Sequence, residues 1–482
     1  MMRNLTMLVD FYELTMANSF YVLDKNEYAT FDLFFRDVPD NGGYAIMAGL
    51  EQVIQYIQEL EFSDKDIEYL RSKKIFDEGF LNYLKNFKFT ATVHAIREGT
   101  PIFPMEPVLT ITGPIIECQL IETMLLLTIN HQSLIATKTA RIVHAAQGRT
   151  VMEFGSRRAQ GYDAANFGAR AAYIAGAVGS ANTYTDMMLQ IPALGTMAHS
   201  YVQSFDSEYE AFLAYAKTYP SNTVLLVDTY STLHSGLPNA IKVAKTYLEP
   251  RGERLKGIRI DSGDLTYLSR AARQLLDEAG LTDCKITVSN SLDEYLIQEL
   301  LRQGAQIDSF GVGERLITSK SDSVFGGVYK LSALKKEGQW MPKMKLSDNP
   351  QKTTIPGQKR LYRLFDENNM MIADVITCAN EVIDPNQPYL LFDPVYPYKN
   401  KTVRNFKVVS LHEPIFIEGK LVYKKPTLNE IRAYHQIQMK TMWDEVKRFE
   451  HPHQYYVDLS QPLWDLRQDI INEIKNKETV VY

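Results

Sequence analysis

The sequence predicts an α/β chain whose central part is a β/α barrel. Two observations carry that prediction. Between residues 150 and 313, short apolar β runs alternate with amphipathic helices of crossover length, the pattern that parallel strands require. The runs are short and mainly apolar, as expected of strands covered on both faces. Six such runs suit a barrel better than a small open sheet, and a doubly wound sheet is the alternative the pattern leaves open.

The elements can be justified in order. FDLFFRD (31–37) is aromatic enough for a strand, and AGLEQVIQYIQEL (48–60) has Leu50, Val53, Ile54, Ile57 and Leu60 at helical spacing. FTATVHAIREGTPIFPMEPVLTITGP (89–114) reads as short strands cut by turns, with two helices after it across 116–147. The alternating region then gives TVMEF, IPALG, TVLLVD, GIRID, KITVS and IDSFG as strands. Among its helices, SEYEAFLAYAKTY opens on Ser207 and Glu210, a capping box, and SLDEYLIQELLRQG begins with Ser291 and Glu294 and ends at Gly304. DLTYLSRAARQLLDEAG stops at Gly280. Past residue 325 the alternation ends. A hairpin spans 359–377, one long helix runs from Thr427 towards Phe449, and LWDLRQDIINEI forms a last helix.

Composition bounds the function. The 482 residues suffice for two or three domains, at an ordinary 45% hydrophobic and 23% charged. A net charge of −6 without a basic block argues against nucleic acid as partner. Three scattered cysteines, Cys118, Cys284 and Cys378, form no CxxC pair and fit a reducing cytoplasm. The N-terminal stretch lacks the apolar core of a signal peptide, and the greasiest region is broken by Glu122, His131 and Lys138, so no membrane association is expected.

Polar residues collect just after the six strands: Gly155, Ser156, Arg157 and Arg158; Thr196 and His199; Asp228, Thr229 and Tyr230; Asp261, Ser262, Gly263 and Asp264, with Arg259 inside its strand; Ser289 and Asn290; Gly313, Glu314 and Arg315. Parallel β/α architecture brings such ends to one face, where barrel active sites are built. Arginines offer planar forks to carboxylate or phosphate. Gly311 and Gly313 let backbone N–H groups approach a phosphate. Asp228, Asp261 and Asp264 sit oddly beside phosphate unless a divalent cation bridges them, and Mg²⁺ is the simplest choice. A histidine there can serve as base or nucleophile. Each residue alone has a plainer reading, such as an Asp that caps a helix. The convergence favours a phosphate-sugar site.

Those residues carry a resemblance. LVDFYELTMA (8–17), FDLFFRDVP (31–39), NHQSLIATKTARI (130–142), EFGSRRAQG (153–161), GTMAHSYVQSF (195–205), RIDSGDL (259–265), FGVGERL (310–316) and KLSDNPQKTTIPGQKRLYR (345–363) resemble the nicotinate phosphoribosyltransferase family. The resemblance implies an irregular β/α barrel (141–329) plus an α/β sandwich domain (1–140 with 330–415) and a C-terminal helical extension (416–482). It implies ATP-coupled synthesis of nicotinate mononucleotide and pyrophosphate from nicotinate and phosphoribosyl pyrophosphate, with Mg²⁺, in a homodimer. The metal ligands stay unassigned. The family's phosphorylated histidine falls on His199 and the ring-stacking aromatic on Phe154, with Arg157 in the same pocket. Arg259 and Asp261 match the ribose-phosphate region, with Asp228, Ser262, Ser289 and Asn290 beside them, and Gly311 and Gly313 match the phosphate loop. Tyr12 matches a tyrosine that reaches the neighbouring subunit's site. Two places depart from the family. GSAN (179–182) stands where GTSN is common, which puts Ala181 in the motif, and Glu314 stands where threonine is common. GSAN also lacks the acid of nicotinamide-using relatives, which favours an acidic substrate.

Rival readings are a nicotinamide- or quinolinate-using transferase and a phosphosugar-binding barrel without turnover. A Schiff-base lyase fits poorly, because no lysine stands at the six strand ends.

Overall fold

The structure, a computed structural model, describes residues 4–347 and 353–479. Residues 348–352, inside the KLSDNPQKTTIPGQKRLYR segment, lie outside the described residues. The chain divides into two compact units, one of residues 1–134 with 324–482 and one of 135–323.

In the second unit, five parallel strands pair in the order Thr150–Glu153, Ser309–Val312, Lys285–Ser289, Gly257–Ile260, Val224–Leu226. Their apolar residues, among them Val151, Leu225, Ile258, Ile260, Ile286, Val288 and Phe310, are buried. Strands two to five step across the sheet one place at a time, and the first pairs with the last. A doubly wound sheet would reverse direction at a switch point. This order does not reverse, so it is the course of a barrel. Past Thr150–Glu153 the ladder thins to single bridges, Glu153 to Ser180 and Ser180 to Ala193. IPALG is therefore not a strand. Pro192 has no N–H to donate, and the segment meets residue 180 through Ser180 N–H to Pro192 C=O at 3.0 Å and Leu194 N–H to Ser180 C=O at 2.8 Å, while Ala193 N–H turns to the Asp186 carboxylate at 3.1 Å. The wall of the barrel is irregular at this point.

The helix after KITVS also starts later than its sequence suggests. Its cap is Asp293, whose carboxylate accepts Leu296 N–H at 2.8 Å, and the helix is Glu294–Arg302. Asn290 and Ser291 take left-handed backbone first, φ +85° and +53°, so Ser291 cannot cap. Ser207 caps its helix by accepting Glu210 N–H at 3.2 Å, the forward half of the predicted box. Asp264 caps Leu265–Glu278, and Gly280 takes φ +70° just beyond that helix.

The first unit is built on a seven-stranded sheet. Tyr28–Phe34 lies between Val328–Lys336 and Leu109–Pro114, followed outward by Thr92–Ile96 and His412–Ile417. Helices including Phe11–Val22, Leu50–Gln58 and Glu78–Lys85 cover it, around a core that includes Leu33, Phe35, Phe80 and Ile111. The 359–377 hairpin forms as Lys359–Phe365 with Met371–Cys378. The tail is not helices alone: Val457–Leu459 adds a parallel strand to Met371–Cys378. The helix from Thr427 has the reciprocal box with Glu430 but ends at Thr441, where Met442 turns extended. No helix among the described residues is long and apolar enough to cross a membrane.

Candidate active site

Strand order decides which residues meet. Read across the barrel wall, the carboxyl ends present Phe154, Gly311 and Gly313, Ser289, Asp261, and Asp228 as neighbours.

Phe154 is fixed at one end of this row. Its N–H donates to Val312 C=O at 2.7 Å, and its ring lies directly against Gly311. A Cβ on Gly311 would stand 2.5 and 2.6 Å from two ring carbons, and 3.4 Å from Ser289 Cβ. Glycine at 311 is therefore required by the aromatic ring. Under Phe154 is a residue that the strand-end pattern missed, Glu153. It is fully buried and takes hydrogen bonds from Gly155 N–H and the Ser180 hydroxyl. Burial pushes its carboxyl up. The hydroxyl at 180 survives the change from GTSN to GSAN, so only that of position 181 is gone, and Ala181 N–H still donates to Glu153 C=O at 2.8 Å. A missing family acid would have drawn attention to 179–182, but nothing in the sequence marks Glu153 as a buried acceptor.

At the other end stands His199, the first residue of the short helix His199–Gln203. Its Nδ1 is 3.1 Å from the Thr229 hydroxyl, and its Nε2 is 4.0 Å from Asp228 and 3.9 Å from Asp261. The ring is neither packed in grease nor turned to bulk water: its side chain is 39% exposed and faces both acids. Asp228 is 2% exposed and accepts the Asp261 N–H at 2.9 Å and the Ser262 hydroxyl at 2.6 Å. Asp261 accepts the Ser289 hydroxyl. Arg259 donates to the Thr196 hydroxyl at 3.2 Å and to Met197 C=O at 3.0 Å, tying the segment before His199 to the strand. Burial pushes its guanidinium down, Asp261 and Asp228 pull it back up, and Arg157 pushes it further down. Arg157 is thus within electrostatic reach of Arg259, although it stands exposed on the Ser156–Arg158 turn.

Other candidates sit apart. Asn290 is exposed, with the Ser291 hydroxyl on its side-chain oxygen at 3.1 Å. Tyr12 belongs to the first unit, half-exposed on Phe11–Val22, with its phenol bonded to Glu122. Glu314 pairs with Lys320 at 2.7 Å on an open cavity of about 340 Å³ that Arg158 and Thr318 also line.

Mg²⁺ can be tested against the donor set. Asp228 Oδ1 is buried without a hydrogen-bond partner, and Asp261 offers a second hard oxygen donor beside the same imidazole. Among the described residues no cluster of three or more His, Cys, Asp or Glu could hold a metal by itself. Two carboxylates with the rest of the shell from water and substrate phosphate is how Mg²⁺ usually binds, so the residues fit.

The comparisons with known proteins fall on this geometry. Residues 7–130 match the N-terminal domain of nicotinate phosphoribosyltransferase (NAPRTase), residues 150–375 the nicotinate phosphoribosyltransferase (NAPRTase) family, and residues 358–467 its C-terminal domain. A protein of Bacillus subtilis (strain 168) named nicotinate phosphoribosyltransferase is 42% identical over 98% of this chain and 96% of its own. The chain belongs to the nicotinate phosphoribosyltransferase family. A human protein of the same name is 31% identical over 97% of this chain and 96% of its own. The crystal structure of human nicotinic acid phosphoribosyltransferase superposes with a TM-score of 0.85 at 30% identity, covering 96% of this chain and all of that one. The protein is accordingly an enzyme, and its class is phosphoribosyl transfer. The family matches also extend into the last hundred residues, where the motifs of the sequence gave little.

Proposed function

We propose that this enzyme joins nicotinate to phosphoribosyl pyrophosphate, giving nicotinate mononucleotide and pyrophosphate, and couples the reaction to ATP hydrolysis through a phosphohistidine at His199. The observation that carries the reading is the imidazole held by Thr229 with Nε2 aimed between Asp228 and Asp261.

Chemistry follows from the row of side chains. The bond from the anomeric carbon to pyrophosphate breaks with oxocarbenium character, and the pyridine nitrogen forms the new bond. Phe154, braced on Gly311, fixes the plane of the ring, and aromatic stacking contributes about 0.5–1.5 kcal/mol beyond the area buried. Arg157 neutralises the substrate carboxylate and turns the ring nitrogen towards the anomeric carbon. Arg259, Asp261 and the Gly311–Gly313 loop hold the phosphorylated ribose. Asp228 and Asp261 are the groups to hold Mg²⁺, which when bound neutralises charge on the leaving pyrophosphate.

In the coupling step, Nε2 of neutral His199 forms a bond to the γ-phosphorus of ATP as the bond to ADP breaks. This requires the ring proton on Nδ1, where the Thr229 hydroxyl can accept it. Water later cleaves the N–P bond to release phosphate. Small neighbours Gly195, Ala198 and Ser200 leave room for the group. Tyr12, half-exposed on the first unit, reaches a second copy of the chain in the proposed homodimer. The three free thiols support a cytoplasmic location. Product analysis with nicotinate, nicotinamide and quinolinate in turn tests the reading. Nicotinate mononucleotide should form from nicotinate alone; turnover of either other base at an equal kcat/KM, or of none, contradicts it.

A further inference from the structure

The NHQSLIATKTARI segment is so far without a role, and its two cations lie deep in the second unit. Lys138 and Arg141, one turn apart on the helix Glu122–Ala145, converge on Glu294. Lys138 Nζ and Arg141 Nε each stand 2.9 Å from the same oxygen, Oε1, and the three side chains are 2%, 4% and 0% exposed. Lys138 also reaches the Ser321 hydroxyl at 2.7 Å, and Arg141 the Tyr295 hydroxyl at 3.2 Å. Burying three charges is costly, and an apolar set of equal volume would often be as stable. Stability is therefore a weak reason for the triad to exist.

What the triad holds is more telling. Glu294 opens the helix that follows Asn290 and Ser291, two consecutive left-handed residues without glycine. Each is a strained conformation that persists only where its surroundings over-determine it. Immediately before them Ser289 donates to Asp261. Two residues beyond Ser291, Asp293 caps the helix and pairs with Arg315, itself two residues past Gly313. The clamped helix start thus ties together the turn beside Asp261 and the glycine loop beside Phe154.

We infer that Glu294, locked between Lys138 and Arg141, is a positioning residue for the reaction: it sets the 289–293 turn and, through Asp293 and Arg315, the 311–315 loop at the spacing the phosphorylated ribose needs. The inference rests on the proposed function. Its specific consequence is a split between substrates. Loosening the clamp should raise KM for phosphoribosyl pyrophosphate by about tenfold or more, the usual scale for groups that orient a binding shell, with KM for nicotinate changing less than threefold.

The test is steady-state kinetics of the full-length enzyme with each substrate varied, for the parent, Glu294→Gln, Glu294→Asp and Arg315→Gln. Glu294→Gln should show the split, and Glu294→Asp should recover part of it. Arg315→Gln cuts the same tie from its half-exposed end, so it decides the matter if Glu294→Gln fails to fold. Equal shifts in both KM values, or a lower melting temperature with neither KM moved, would overturn the inference. A parent that forms no nicotinate mononucleotide would instead overturn the functional reading, and this inference with it.

Discussion

Gly311→Ala is the sharpest perturbation of the aromatic end of the site. Gly311 is not among the left-handed glycines, so the new methyl acts through space and not through backbone strain. Its Cβ would stand 2.5 Å from the nearest Phe154 ring carbon, where ordinary carbon contacts begin near ~3.5 Å. The ring must retreat by roughly 1 Å, and a misplacement of that size can lower a rate by about a hundredfold. Overpacking of this kind costs about 1–3 kcal/mol, which the fold can absorb. The expected result is a folded enzyme whose kcat/KM for nicotinate falls by roughly two orders of magnitude. In a Phe154→Ala background the same change should cost almost nothing more, because the two positions share one contact. Steady-state kinetics of the four proteins in that cycle is the assay. A Gly311→Ala enzyme within threefold of the parent, or additive losses across the cycle, would refute the claim that glycine is there to seat the ring.

Other predictions follow from the buried acids. Glu153→Gln places an amide NH₂ among the two donors Gly155 N–H and Ser180 O–H, so urea unfolding should report a loss of about 1–3 kcal/mol and KM for nicotinate should rise. Asp228→Asn removes charge from the buried Oδ1, so a Mg²⁺ titration of activity should need at least about tenfold more metal, while the parent requirement would contradict the fit of that pair. Burial pushes the Glu13 carboxyl up to about 8 from its ordinary 4.5, so the fold binds that proton more tightly than the unfolded chain. Its contribution to stability is full below about pH 4.5 and is lost as pH rises through about 8, and Glu13→Gln should flatten that limb of the melting-temperature profile.

Much of this site was legible because a parallel strand announces itself as an apolar run, and its carboxyl end follows at once. That logic alone brings Asp228, Asp261, Ser289 and Gly313 to one face, and the family resemblance adds Phe154. It misjudged IPALG because apolar content says nothing about donors, and Pro192 withholds one. It began a helix at Ser291 because Ser-x-x-Glu is a good helix start locally, whereas Asp293 takes the cap and Ser291 stands at positive φ. Glu153, Lys138 and Arg141 escaped notice as functional groups for a common reason. Their partners, Ser180 and Glu294, are distant in sequence, and a buried charge looks like a surface charge until its partner is known. Glu314 shows the converse, a departure from the family pattern that proves to be an exposed ion pair with Lys320.

His199 is the group that meets both acids. Incubating the enzyme with γ-labelled ATP and Mg²⁺, then mapping the label by mass spectrometry, tests it directly. The prediction is an acid-labile phosphoryl group on His199 that is discharged on adding nicotinate and phosphoribosyl pyrophosphate. His199→Ala should take up no label and lose its stimulation by ATP while keeping slow ATP-independent turnover. Label on another residue, or equal ATP stimulation in His199→Ala and the parent, would contradict the account.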